Sequence, residues 1–170
     1  ATPVSKHDFV IGITASGTAP YVHGALAYAQ SIGAKTALIA CNPTYLDTAD
    51  LFILLETGAE VLPGSTRLKA GTATKLALNQ ITTGAMARCG HIYEGYMVGV
   101  QSVNIKLRER TLRITGDLLK LNTQEAEVAL DAAGGDIKVA VLMHRCGVDI
   151  DEAQQRLDQR GGHLREALAL

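Results

Sequence analysis

Short apolar runs broken by polar, glycine-containing turns occupy the first third of the chain. Phe9-Val10-Ile11-Gly12-Ile13 has the character of a buried strand and closes on the polar turn Thr14 to Thr18. Pro20 suits a first helical position, and Tyr21 to Ser31 follows with helical spacing until Gly33 ends it. Thr36 to Ala40 predicts a second strand, Cys41-Asn42-Pro43 a turn, and Leu51 to Leu55 a third strand reached through a short helical or irregular stretch. Strand, helix, strand in this rhythm is a βαβ pattern, so the prediction is an α/β fold with a parallel sheet flanked by helices.

After Gly64 the pattern predicts no further strands. Ala70 to Cys89 and roughly Tyr93 to Leu119 have helical character, with Gly90 as the break and Gly95, Gly99 and Gly116 as weak points. The tail repeats itself: Glu125 to Ile137 matches Glu152 to Leu164, twenty-seven positions on. Each copy predicts a short helix, a Gly-Gly stop and the start of another helix. The expected organisation is therefore residues 1–119 as a sheet-containing domain with trailing helices, and residues 120–170 as a small helical, UBA-like module. That module is expected to supply packing or dimer contacts rather than chemistry.

Composition narrows the function. The chain has 170 residues, enough for one fair-sized domain or a smaller one with an appendage, and 47% of them are hydrophobic, mostly Ala, Leu, Ile and Val. A net charge of −1 leaves no basic footprint, so nucleic acid is not an expected partner. Cys41, Cys89 and Cys146 are widely spaced and odd in number, which fits core thiols kept reduced in the cytoplasm. The five histidines show no metal-ligand spacing, and no cofactor is expected. No apolar run approaches membrane-spanning length, and the start lacks the regions of a signal peptide. The first residue is Ala rather than Met, the mark of a fragment or a processed chain.

Two turns carry the candidate chemistry. The segment Gly58 to Lys75 brings a glycine turn, the adjacent hydroxyls of Ser65 and Thr66, and the cations Arg67 and Lys69 to the entrance of a long helix. Free backbone N–H groups and the positive end of the helix dipole suit a phosphate or carboxylate there. The upstream turn Thr14 to Tyr21, with Ser16, Gly17 and Thr18, is of the same kind and directly follows a strand, where open α/β sheets bind ligands. Together they predict one anionic ligand held between them. Gly64 to Gly71 has the wrong interval for a P-loop and no Gly-Lys-Ser/Thr ending, so a nucleoside triphosphate is not expected. Glu60 is the carboxylate expected nearest the ligand, with a backbone-bonding loop role as its alternative. His23 is read mainly as a helix-surface residue, and Lys75 faces either the site or solvent.

The runs Ile11 to Gly17, Ala40 to Pro43, Gly58 to Lys75, Tyr96 to Gln101 with Asn104, and Arg156 to Gly162 resemble the N-acetylmuramic acid 6-phosphate etherase family. The resemblance covers nearly the whole chain, with the motifs in the family's order. It implies a sugar-isomerase (SIS) type sheet, partial in this chain and followed by a small C-terminal helical module. The implied ligand is a phosphorylated amino sugar, with Ser16, Gly17, Thr18, Glu60, Ser65, Thr66 and Lys69 lining its pocket. The family's reaction cleaves the D-lactyl ether of N-acetylmuramic acid 6-phosphate to N-acetylglucosamine 6-phosphate and D-lactate, in peptidoglycan recycling. It runs without a metal, on a glutamate base and a glutamate acid. Both glutamates, and the family's first phosphate loop, correspond to sequence ahead of Ala1. No residue of this chain matches them, so this chain alone is expected to be inactive.

Two further expectations follow from the resemblance. One is that a sheet beginning at Phe9 has about three strands and leaves an apolar face and a strand edge uncovered, to be closed by another polypeptide or by a homodimer. The other concerns function. A regulatory phosphosugar-binding protein, like the glucokinase regulatory protein of the same fold group, is the alternative to the lyase, and an aldose–ketose isomerase is the third reading.

Overall fold

A computed structural model describes residues 3–43, 49–100 and 105–170, with the side chains of 105 and 106 excepted. The predicted stretch between Pro43 and Leu51 therefore falls largely outside the described residues, as do Gln101 and Asn104 of the quoted motifs. The chain divides into two compact units, Ala1–Ile81 and Thr82–Leu170.

The first unit is a three-stranded parallel sheet in the order β1-β2-β3, formed by β1 (Phe9–Thr14), β2 (Lys35–Ala40) and β3 (Leu51–Leu54). Helix α1 (Pro20–Ser31) crosses over from β1 to β2 and packs on both. β2 lies between parallel partners, Phe9 opposite Lys35 on one side and Leu51 opposite Ala37 on the other. Every residue from Thr36 to Cys41 is accordingly buried. The buried Thr36 hydroxyl is satisfied by donating to Asp50 Oδ2 at 2.8 Å, and its own backbone N–H donates to the same oxygen at 2.8 Å. That pair aligns the chain's entry into β3. Gly12 is small because α1 lies against it: a Cβ would stand 2.6 Å from Val22 Cγ1. β1 and β3 each pair with β2 alone among the described strands, and Phe9, Ile13, Leu51 and Phe52 are exposed. The α/β class, the parallel sheet and the strand positions agree with the sequence reading. Helix α2 (Lys69–Arg88) lies within one residue of its predicted span, and the boundary between the units falls within it.

The second unit corrects the expected helix from Tyr93 to Leu119 and the expectation of no strands after Gly64. A hairpin stands first, β4 (Ile92–Tyr93) against β5 (Tyr96–Met97), and helix α3 (Ile105–Leu119) begins only afterwards. The reason is local. Glu94 and Gly95 adopt φ of 47° and 81°, the left-handed pair of a two-residue hairpin turn. Burial then alternates along Val98, Gly99 and Val100, a period of two that does not suit a helix. Gly95 and Gly99 are thus turn and loop residues.

The tail behaves as its repeat predicts. Helices α4 (Thr123–Ala132) and α5 (Ile137–Cys146) form the first copy, α6 (Ile150–Gln159) and α7 (Leu164–Ala167) the second. Asn122 and Asp149 cap the leading helices through the same backbone bond, to Glu125 N–H at 3.0 Å and Glu152 N–H at 2.9 Å. Gly135 and Gly162 then close each stop by donating to Leu130 and Leu157 carbonyls, both at 2.8 Å. Ala126, Leu130, Ile137 and Ala140 are buried in one copy, and Ala153, Leu157, Leu164 and Ala167 in the other. The repeat is therefore one packing solution used twice. Tyr93 ties the hairpin to it, since Arg145 Nη1 donates to its hydroxyl at 2.9 Å and the guanidinia of Arg145 and Arg165 lie 5.7 and 5.5 Å from its ring centre.

Gly90 tests this packing. Its φ is +73°, and a Cβ there would lie 2.8 Å from the Gly162 carbonyl oxygen, whereas Gly134, φ +63°, faces open space. Gly90→Ala is expected to cost about 2 kcal/mol or more, and Gly134→Ala about 1 kcal/mol, as read by urea denaturation. Equal midpoints for the two variants would contradict the close approach.

Candidate functional site

β1 ends in a turn dense with hydroxyls because Gly17, at φ 79°, reverses the chain before Pro20 starts α1. Ser16 Oγ lies 3.0 Å from Thr18 Oγ1 and 3.4 Å from Thr14 Oγ1, and it accepts the Thr18 N–H at 3.2 Å. Ser16 and Thr18 are exposed and Gly17 is buried. His23, one turn into α1, reaches back so that its Nε2 donates to the Gly17 carbonyl at 2.8 Å. It thus braces the turn, a part that its surface reading on the helix did not predict. No side chain caps α1, and its first turn contains no acidic residue. Among the described residues, the positive end of that helix therefore has no carboxylate capping it.

The entrance of α2 is different. Glu60 accepts the Lys69 N–H on one carboxylate oxygen at 2.9 Å and the Ala70 N–H on the other at 3.0 Å. These bonds to Ala70 and Lys69, in that order of weight, hold its carboxyl below the usual glutamate range. The expectation of free N–H donors at this helix start is corrected for these two groups: a carboxylate from the same chain occupies them. Ser65 is half-buried and Thr66 exposed, and neither hydroxyl has a hydrogen-bond partner within the chain among the described residues. Their backbones form the turn, with Gly71 N–H donating to the Thr66 carbonyl at 2.8 Å. The side chain of Lys69 is exposed.

Cys41, just past β2, joins the two turns. Its N–H donates to the Ala15 carbonyl at 3.1 Å, beside Ser16. Its Sγ lies 3.7 Å from the Ala70 carbonyl oxygen and 3.8 Å from Thr74 Oγ1, in the first turns of α2. A core role for Cys41 agrees with its burial, but Cys89 is exposed and Cys146 only half-buried. The structure thus anchors Ser16, Gly17 and Thr18 and the Glu60-capped start of α2 to one point at the carboxyl end of the sheet. Among the described residues, no three His, Cys, Asp or Glu side chains come together as a metal-ligand group, and no helix is long and apolar enough to cross a membrane.

The Glu60 cap has a measurable pH signature. Its carboxyl titrates lower in the folded chain than in the unfolded one, so its stabilisation is complete above the unfolded pKa. It is lost as pH falls through the lowered value. Glu60→Gln is expected to lower the thermal midpoint at about pH 7, and to do so less at about pH 3, below the ordinary glutamate value. An equal deficit at both pH values would show that the charge is not what caps α2.

Comparison with known proteins finds relatives that include several N-acetylmuramic acid 6-phosphate etherases. The chain is 50% identical over 167 residues to an N-acetylmuramic acid 6-phosphate etherase of Synechocystis sp., covering 97% of this chain and 55% of that protein. It is 45% identical over 170 residues to one of Serratia proteamaculans, covering 99% and 57%. An N-acetylmuramic acid 6-phosphate etherase 2 of Vibrio parahaemolyticus is 48% identical over 170 residues, covering 99% and 57%. The chain spans about half the length of the curated relatives it matches. No family model matches it.

Proposed function

The chain is related to the N-acetylmuramic acid 6-phosphate etherases along nearly its whole length, and on that premise we propose that it is the C-terminal part of such a lyase. The whole protein would cleave the D-lactyl ether of N-acetylmuramic acid 6-phosphate, releasing D-lactate and N-acetylglucosamine 6-phosphate. A base takes the proton at C2 of the opened sugar, an acid assists the departing lactate, and water adds back. This chain's share is binding: it contributes part of the phosphosugar pocket, and the acid and base come from the rest of the protein. Its place of work is the cytoplasm and its assembly a homodimer. The exposed Phe9, Ile13, Leu51 and Phe52 and the open edges of β1 and β3 support a covered sheet in the working assembly.

The observation that carries this reading is the junction at Cys41, which ties both hydroxyl-bearing turns to one end of the sheet. The division of labour follows from the two helix starts. α2 already carries the Glu60 carboxylate, whereas α1 has no acidic residue in its first turn and no side-chain cap among the described residues and presents Ser16 and Thr18, so the phosphate belongs on the α1 side. Ser65 and Thr66, with no hydrogen-bond partners for their hydroxyls within the chain among the described residues, serve the same ligand from the other turn. A second reading is a phosphosugar-binding regulator. With Glu60 committed to capping α2, this chain's part of the pocket offers binding groups that would serve a regulator as well as a lyase.

Lactate release separates the two. The natural-length protein is expected to release D-lactate from N-acetylmuramic acid 6-phosphate, and this chain assayed beside it is not. Ligand binding by the long form without lactate release would favour the regulator. Replacing Ser65 and Thr66 together by Ala is expected to weaken phosphosugar binding about tenfold, through lost hydrogen bonds to the sugar's polar groups. An unchanged dissociation constant by calorimetry would remove these residues from the site.

A further inference from the structure

The second unit holds a cavity of about 610 Å³ that the phosphosugar reading does not use. Thr83 and Met86 of α2, His91 and Ile92 before the hairpin turn, Met97 of β5 and Arg110 of α3 line it. Its size suits a small organic molecule. Backbone bonds fix its walls: His91 N–H donates to the Met86 carbonyl at 3.0 Å, and Val98 N–H to the His91 carbonyl at 2.9 Å. Gly99 sets the imidazole in place, because the first carbon of any side chain there would overlap the His91 ring.

The lining has an unusual balance. Most of its surface is apolar, and Met86, Ile92 and Met97 remain 52, 37 and 42% exposed beside a filled core. Among the described residues, no carboxylate lines the cavity, and the Arg110 guanidinium takes part in no ion pair. Glu94, on the nearby turn, is held by Arg145 at 3.4 Å. A guanidinium that lines one cavity with methionine and isoleucine, and has no acid partner among the described residues, gains most from an anion whose remainder is hydrocarbon. A phosphosugar, covered in hydroxyls, has no use for such walls.

We propose that this cavity binds an amphipathic organic anion, a small molecule with an apolar body and one carboxylate or sulfonate that pairs with Arg110. The apolar body lies against Met86, Ile92 and Met97, and the anionic head meets the guanidinium. The inference does not depend on the phosphosugar reading, whose turns belong to the first unit.

The test is calorimetric titration of the full chain with 2-naphthoate, with neutral 2-naphthylmethanol as the uncharged comparison. Saturable one-to-one binding of naphthoate is expected, about tenfold weaker for the alcohol and about tenfold weaker for Arg110→Gln. Thr83→Trp, which fills the cavity from an exposed helix position, is expected to abolish it. Circular dichroism establishes that each variant is folded, and each reads the cavity independently of the other. N-acetylglucosamine 6-phosphate is expected to leave naphthoate bound. The proposal is overturned by non-saturable binding, by equal affinity for acid and alcohol, by affinity unchanged in either folded variant, or by displacement with the sugar phosphate.

Discussion

Strand β2 is the constraint on which the candidate site depends. It is bonded to a parallel neighbour on both sides and buried from Thr36 through Cys41. Its carboxyl end is therefore a fixed point, unlike the turns that reach it. Cys41 turns that fixed point into a joint, holding Ala15 by a backbone bond and the first turns of α2 by its sulfur. Two segments more than forty residues apart in sequence, Thr14 to Thr18 and Ser65 to Ala70, are thereby secured to one end of one sheet. Ligand binding at the carboxyl ends of parallel strands rests on this kind of arrangement, a rigid sheet supporting short turns.

Each turn meets the start of a helix, and the two starts are chemically unequal. Glu60 supplies α2 with its own anion through two backbone bonds, so that helix is complete without a ligand. α1 opens at Pro20 with no side-chain cap and no acidic residue in its first turn, behind a turn whose hydroxyls already bond to one another. The Ser16 network orders the donors before a ligand arrives, and the His23 bond to the Gly17 carbonyl braces it from the helix side. Preorganised donors lose little freedom on binding, which is why the phosphate is proposed for this turn.

Much of this was legible from sequence, and the misses have physical causes. β1, β2 and β3 are continuous apolar runs with glycine or proline punctuation, the signal of a parallel sheet buried on both faces. The twenty-seven-residue repeat was legible because each copy restates cap, core alanine and leucine, and Gly-Gly stop. The β4–β5 hairpin was missed because Glu94 sits at a left-handed position without being glycine, asparagine or aspartate, and only Gly95 marked the turn. The Val98 and Val100 alternation was the signal available. Cys41 as a joint and His23 as a brace were not legible, since both roles depend on contacts between separate elements. Glu60 lay between the two: its segment identified it as important, but its partners, nine and ten residues on, decided that it serves the helix.

The central claim is that the Ser16 and Ser65 turns, joined at Cys41, line one phosphosugar pocket. Amide chemical-shift mapping during titration with N-acetylglucosamine 6-phosphate tests it most directly, because both turns belong to this chain. The account predicts saturable shifts centred on Gly17, Thr18 and Tyr21, with a second group at Ser65, Thr66 and Arg67 following the same binding curve. Shifts confined to one turn, or two groups that saturate at different concentrations, would contradict it.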